Sequence, residues 1–425
     1  MNSAFTKLKV RLANVLGTSV LSKKFMTFAG VHTCFLIFIN LHGVFINTLL
    51  FRVTGDNTII LWYNIIFFLS CSISMPLGAM FMRKTSPSVS SRTGISLYIL
   101  MYITFFALMF TGTLKQGMPL IAVLSACAAT TYWIAYNVML IEFSTERNRD
   151  VGLSLIGMSG GMVALVMPMI SGFVISGFVG MTGYYVMFGI SLMIAIATML
   201  LSASKIPPIP SKTHKTYFKL AVHDVLTTPV WRICMSCEFV KGMREGTFMF
   251  FLNLLLFDIV QNEAIIGLNV FLTAMLSILA NWTIGKFLRP QHRIRWIFTA
   301  VTVLFFASAL LFFRLDALTI MLMSIVNAYF SIILLNPIAA VLFSLFGRTE
   351  HGAQAKYEFL GMKDSFLGLG RCLGVVVVLL FPQTQRGYLI VMCVLTATQY
   401  VTVFLAHRAI KQLEGTTELE PAETE

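Results

Sequence analysis

Asn47-Thr48-Leu49-Leu50-Phe51 closes the first long apolar run of the chain, and Asn253-Leu254-Leu255-Leu256-Phe257 closes the seventh. The two stretches lie 206 residues apart. Further matches keep nearly the same offset. Asn64 corresponds to Asn269, Met80-Phe81-Met82-Arg83 to Lys286-Phe287-Leu288-Arg289, and Gly157-Met158 to Gly361-Met362. Apolar sequences match by chance, so the argument rests on the shared order and spacing. First pairs with seventh, second with eighth and fifth with eleventh. A shift of six runs preserves orientation across a membrane, so this is a parallel repeat.

The composition agrees. The chain has 425 residues, of which 57% are hydrophobic and only 12% charged. Mean hydropathy is +0.83. Soluble domains carry about 25% charged residues. That gap excludes an ordinary soluble enzyme, a disordered chain and a coiled coil. A membrane-crossing helix needs about 20 apolar residues. Twelve runs qualify, near 26–51, 57–82, 93–113, 118–143, 151–176, 181–203, 233–257, 264–287, 296–313, 317–346, 357–381 and 388–406. The tenth contains Asn336-Pro337 and is expected to tilt or break, because proline removes a helix hydrogen bond. The predicted fold is all-α and membrane-integral, with twelve transmembrane helices in two pseudo-symmetric six-helix bundles.

The chain divides into a basic segment 1–25, a bundle over 26–203, a central loop over 204–232, a bundle over 233–406 and an acidic tail over 407–425. Lysine and arginine fix the orientation. With the N-terminus inside, inner segments hold 22 of them and outer loops four, Arg52, Lys115, Arg314 and Arg386. Such a bias is the positive-inside signal. It places both termini in the cytoplasm and accounts for the net charge of +13 without nucleic acid. No cleavable signal peptide is expected. The seven cysteines all fall in apolar runs and read as free. No Walker loop, HExxH, paired metal motif or nucleophile elbow is present, so neither ATP hydrolysis nor a cofactor is expected.

Charges inside the runs are the chemical signal, since at membrane depth they face a cavity or pair. Span seven holds Glu238, Lys241, Arg244 and Glu245; span eleven holds Glu358, Lys363, Asp364 and Arg371. Arg244 lies about 18 Å along its helix from Arg232, and Arg371 about 21 Å from Tyr357, both near mid-membrane. On a helical wheel Glu238, Lys241 and Glu245 share a face and satisfy one another, whereas Arg244 points away. Asp364 and Arg371 also share a face. Two readings stand. One is a neutral network tying spans seven and eleven together. The other has Arg244 or Arg371 binding an anion while Glu245, Asp364 or Glu238 carries a proton. A carboxylate paired with a movable arginine can exchange a proton for substrate. His42 is a further proton candidate. Trp62, Trp231 and Trp296 sit near span ends and fit interfacial belts.

The chain resembles the major facilitator superfamily over residues 23–408, through the six-plus-six plan, the basic central loop and degenerate motifs. The family motif after span two has Gly, then Asp four residues later, then Arg. Gly78 and Arg83 match, with Met82 in place of the Asp; in the second half only Arg289 matches. These residues, with Lys241 and Lys363, read as gating or structural. In span five, Gly152, Gly157, Gly160, Gly161, Pro168 and Gly172 are similar to the glycine-rich stretch of exporters in the family. The resemblance implies alternating access around a cavity lined by spans one, four, seven and ten. Carried over, it makes Asn40, Tyr132, Trp133, Tyr136, Asn137, Asn327, Tyr329 and Asn336 cavity candidates, with helix packing as the alternative for each. It also implies that spans five and eleven meet across the two halves.

The expected activity is secondary active transport of a small amphipathic or anionic molecule, with protons as the candidate coupling ion, by a monomer in the plasma (inner) membrane. Export is the preferred direction. Alternatives are uptake of a small anionic metabolite, and, from another class, a lipid flippase or scramblase or a non-transporting scaffold. An apolar lateral opening would favour the lipid reading.

Overall fold

The computed structural model describes residues 21–144, 149–207, 216–288, 290–345, 349, 351–352, 354–382 and 384–417. Arg289, most of the basic N-terminal segment, part of the central loop and the last eight residues of the tail lie outside them. In chain order the helices are α1 (Lys23–Gly43), α2 (Phe45–Thr54), α3 (Asn57–Lys84), α4 (Pro87–Phe110), α5 (Leu114–Phe143), α6 (Arg149–Ser176) and α7 (Thr182–Lys205). Then follow α8 (Phe218–Thr227), α9 (Pro229–Val260), α10 (Glu263–Phe287), α11 (Arg293–Leu310), α12 (Ala317–Leu345), α13 (Lys356–Leu380), α14 (Gln385–Ala397) and α15 (Gln399–Thr417). Among the described residues there is no strand.

Local chemistry sets several helix starts. Ser22, Asp56, Ser86 and Asn262 each accept a backbone N–H in the first turn, the role of an N-cap side chain. Pro87 and Pro229 occupy first-turn positions, where no N–H is needed. Gly55, at φ 64°, ends α2 in the left-handed conformation that glycine adopts freely.

Ten helical segments are long and apolar enough to cross a membrane. The two remaining long helices, α9 and α13, are those that carry the charges. They are well packed in the protein, and the charges on them need not meet lipid.

Breaks fall where the sequence did not suggest them. Span one divides at Val44 and span twelve at Thr398, whereas span ten runs unbroken through Pro337 as α12. One missing hydrogen bond is tolerated in a membrane helix whose neighbours hold it in place. Trp231 is also not a belt residue. It is fully buried, stacked on Phe359 at 4.0 Å.

The repeat is visible in the packing. Span one packs on five and six, two on four, and three on four and six; span seven packs on eleven and twelve, eight on ten, and nine on ten and twelve. Across the halves, two meets eleven and five meets eight. The expectation that five and eleven meet is therefore corrected: the glycines of each approach a different helix. A Cβ on Gly172 would lie 2.5 Å from the Glu263 carbonyl of α10, and one on Gly368 would lie 2.3 Å from Ser72 Oγ of α3.

Within the second half, Gly242 and Gly246 on α9 face Gly370 and Gly374 on α13. A Cβ on Gly374 would lie 1.8 Å from the Met243 carbonyl oxygen. Helices lacking Cβ atoms there approach closely enough for direct backbone packing.

Candidate functional site

A cavity of about 750 Å³ lies between the halves, lined by α1, α6, α9, α10 and α12. Helices α6 and α10 touch where Pro168 and Gly172 meet Gly267. They also line the cavity from Gly157 to Pro168 and from Asn269 to Asn281, so it reaches from mid-membrane toward the basic ends of both helices. Among the described residues lining it none belongs to the expected span four; spans five and eight take its place. The small side chains of α6, Gly157, Gly161 and Ala164, leave the room.

The polar wall comes mainly from α10. Asn269, Thr273, Ser277 and Asn281 recur every four residues, a stripe on one helix face. That spacing was readable in the sequence. Asn269 donates to Asn253 Oδ1 at 3.0 Å, and its own side-chain oxygen is buried without a partner among the described residues.

A second chamber of about 160 Å³ adjoins the first and shares Phe248, Met249 and Asn327 with it. Arg244 lines it and is buried. Its guanidinium donates to Asn327 Oδ1 at 2.6 Å, Ser331 Oγ at 3.1 Å and Thr396 Oγ1 at 3.3 Å. Its Cζ lies 4.0 Å from the centre of the Phe248 ring, a cation–π distance. Every one of these partners is neutral. Among the described residues no carboxylate lies within ion-pair distance of Arg244.

The other charges singled out on α9 and α13 are paired. Lys241 bonds Glu238, Arg371 bonds Glu245 across the two helices, and Lys363 bonds Asp364 at 2.8 Å. This corrects the wheel-based grouping: Glu245 turns to Arg371 rather than to Lys241, and Asp364 to Lys363 rather than to Arg371. Glu358, the fourth acid, is taken by Arg83 of α3 at 2.8 Å. It also accepts the Tyr217 N–H at 3.2 Å. One acid of the four thus leaves for the first half, and among the described residues Arg244 has no counter-ion.

Arg83 therefore makes an inter-half ion pair even though Met82 stands where the family motif has its Asp. On the opposite face Arg52 bonds Glu263 at 2.8 Å, with Tyr184 donating to the same carboxylate at 2.9 Å. Gly78 serves packing: a Cβ there would lie 3.1 Å from Ile134 of α5.

Of the remaining candidates, Asn40 and Asn327 line the large cavity. Tyr329 donates to Thr283 and Asn336 to Asn281, both tying α12 to α10. Tyr132, Trp133 and Tyr136 form an aromatic cluster with His32 and Phe35 inside the first half, and Asn137 is exposed. His42 is buried in the first-half core, where its Nδ1 lies 2.6 Å from the Tyr102 hydroxyl. It is apart from the cavity. Asn253, Asn269, Ser331 and Thr396 join the site without having been singled out for it.

Two pseudo-repeated helical bundles around a central, membrane-depth cavity with a polar stripe on its wall define a carrier rather than an enzyme. The Major Facilitator Superfamily model matches residues 26–374. The chain belongs to that family. An uncharacterized protein of Bacillus subtilis (strain 168), YqgE, is 23% identical over 372 residues, covering 87% of this chain and 85% of that protein. Among solved structures, a bacterial homologue of the iron transporter ferroportin in its inward-facing state gives a TM-score of 0.70 at 12% identity, covering 91% and 98% of the two chains. FucP, a transporter of the same superfamily, in its outward conformation gives 0.64 at 14% identity over 91% and 98%. The nucleoside transporter NupG gives 0.65 at 15% identity over 91% and 100%. At these identities the likeness shows the fold.

Proposed function

We propose that this multi-pass membrane protein is a secondary active transporter that moves a small organic anion across the plasma (inner) membrane by alternating access, with Arg244 as the anion receptor. Both termini and the basic face lie in the cytoplasm, and all twelve spans cross, including charged α9 and α13. The observation that carries this reading is the buried guanidinium with no carboxylate within ion-pair distance among the described residues. Removing a charge from water is costly, and a charge left without a partner in the interior is the costly case. A cavity wall that keeps such a cation supplies a place where an anion is worth more than in water.

Glu245 and Arg371 form the proton-coupling element of the proposal. Glu245 follows Arg244 in sequence and lines the same small chamber. An anion arriving on Arg244 brings a like charge beside Glu245 and favours its taking a proton. The glycine-rich α6 supports export as the direction.

The test is flux in proteoliposomes. Labelled acetate, benzoate and gluconate would be offered with and without an imposed pH gradient, to wild type and to Arg244→Gln. The proposal expects gradient-driven movement of at least one carboxylate, stopped by a protonophore and lost in the folded variant. Movement of neutral or cationic solutes only, or carboxylate flux unchanged in the variant, would overturn it.

A further inference from the structure

Two chambers of different size and chemistry meet at Phe248, Met249 and Asn327. The smaller, about 160 Å³, holds Arg244. A carboxylate fits it, and the larger chamber has the room for the rest of a molecule. The larger, about 750 Å³, falls within the range of small-molecule sites, about 300–1,000 Å³. Among the described residues lining it none is charged. Asn40, Asn253, Asn269, Asn281 and Asn327 line it together with hydroxyl side chains. Of these, Asn269 is 1% exposed and has a side-chain oxygen with no partner among the described residues. Amide and hydroxyl groups on a cavity wall disfavour a wholly apolar guest and favour one that hydrogen-bonds them.

The charges around the small chamber set the head. Lys241 is balanced by Glu238 and Arg371 by Glu245, and Arg244 alone is in excess. One negative charge neutralises the site. A second would have no cation to meet in either chamber.

We infer that the cargo is a polyhydroxylated monocarboxylate of the sugar-acid type, its carboxylate in the small chamber on Arg244 and its hydroxylated body read by the asparagines of the large one. This rests on Arg244 as the anion receptor, and it adds the chemistry of the rest of the molecule.

Four six-carbon compounds separate the clauses, with acetate as the bare head. Gluconate has the carboxylate and the hydroxyls, hexanoate the carboxylate alone, sorbitol the hydroxyls alone, and glucarate a second carboxylate. Titration calorimetry on the full-length chain in detergent would compare them, in wild type and in Arg244→Gln, Asn269→Leu and Asn281→Leu. Asn281 is exposed, so its variant keeps the test open if Asn269→Leu fails to fold. Gluconate is expected to bind at least about tenfold more tightly than each of the others. Either asparagine variant should shrink its advantage over hexanoate, and Arg244→Gln should abolish carboxylate binding. Hexanoate or acetate equal to gluconate would overturn the hydroxylated body and leave the anion receptor standing. Glucarate equal to gluconate would overturn the single charge. Sorbitol equal to gluconate, with Arg244→Gln unaffected, would overturn the receptor itself and the proposed function with it.

Discussion

Asn64 donates to Asn47 at 2.8 Å in the first half, and Asn269 donates to Asn253 at 3.0 Å in the second. The same bond joins equivalent helices twice. Counting back 206 residues from span seven, His32, Phe35 and Phe38 stand where Glu238, Lys241 and Arg244 stand. In span eleven an offset of 204 sets Ser154, Gly160 and Met167 against Glu358, Asp364 and Arg371. The scaffold is duplicated and the charge is not. Phe35 and Phe38 are buried in an aromatic core with Tyr98. At the matching place in the second half lies a guanidinium in a chamber. The first half is a brace of rings, and the second carries the electrostatics on a close-packed pair of glycine-faced helices.

The largest test of that contrast removes one member of a buried pair. Glu245→Gln leaves Arg371 unpaired and is expected to cost about 3–5 kcal/mol, seen as a lower melting temperature. A neutral substitution at the equivalent first-half residue, Ile39→Val, should cost about 0.5–1.5 kcal/mol. Equal losses would mean that the second half does not depend on its ion pairs.

Glycine gives the next effect. Gly374→Ala places a Cβ on the Met243 carbonyl and should destabilise by about 1–3 kcal/mol. Gly161→Ala, with nothing within 4 Å, should leave the melting temperature unchanged. A silent Gly374→Ala would show that α9 and α13 are not locked together.

The asparagine pairs give the smallest and sharpest comparison. Asn47→Leu and Asn253→Leu each lose one hydrogen bond, about 1 kcal/mol. Their effects on melting should match. Only Asn253→Leu should alter ligand binding, because only that pair lines the cavity.

Much of this was legible in the chain. The repeat, the helical runs and the two charge-bearing helices follow from spacing and hydropathy alone. A wheel also shows Arg244 pointing away from the charges on its own helix. The partners were not legible. A wheel orders side chains around one helix, whereas Glu245 with Arg371 and Glu358 with Arg83 are set by how separate helices cross. The cavity walls were misplaced for a related reason. Tyr132 and Trp133 look like binding aromatics, yet they fill the first half, while the glycines of α6 leave space that no side chain announces. The four-residue stripe from Asn269 to Asn281 was the available signal for the polar wall. Pro337 marked a break that neighbouring helices prevent.

The central claim is that Arg244 is a buried cation kept for an anion rather than for the fold. Melting wild type and Arg244→Gln side by side, first ligand-free and then with increasing gluconate, tests it directly. Removing an unpaired buried charge should leave the ligand-free protein at least as stable. Gluconate should then raise the melting temperature of wild type only. A variant that melts well below wild type without ligand, or one stabilised by gluconate to the same extent, would make Arg244 a structural strut and contradict the account.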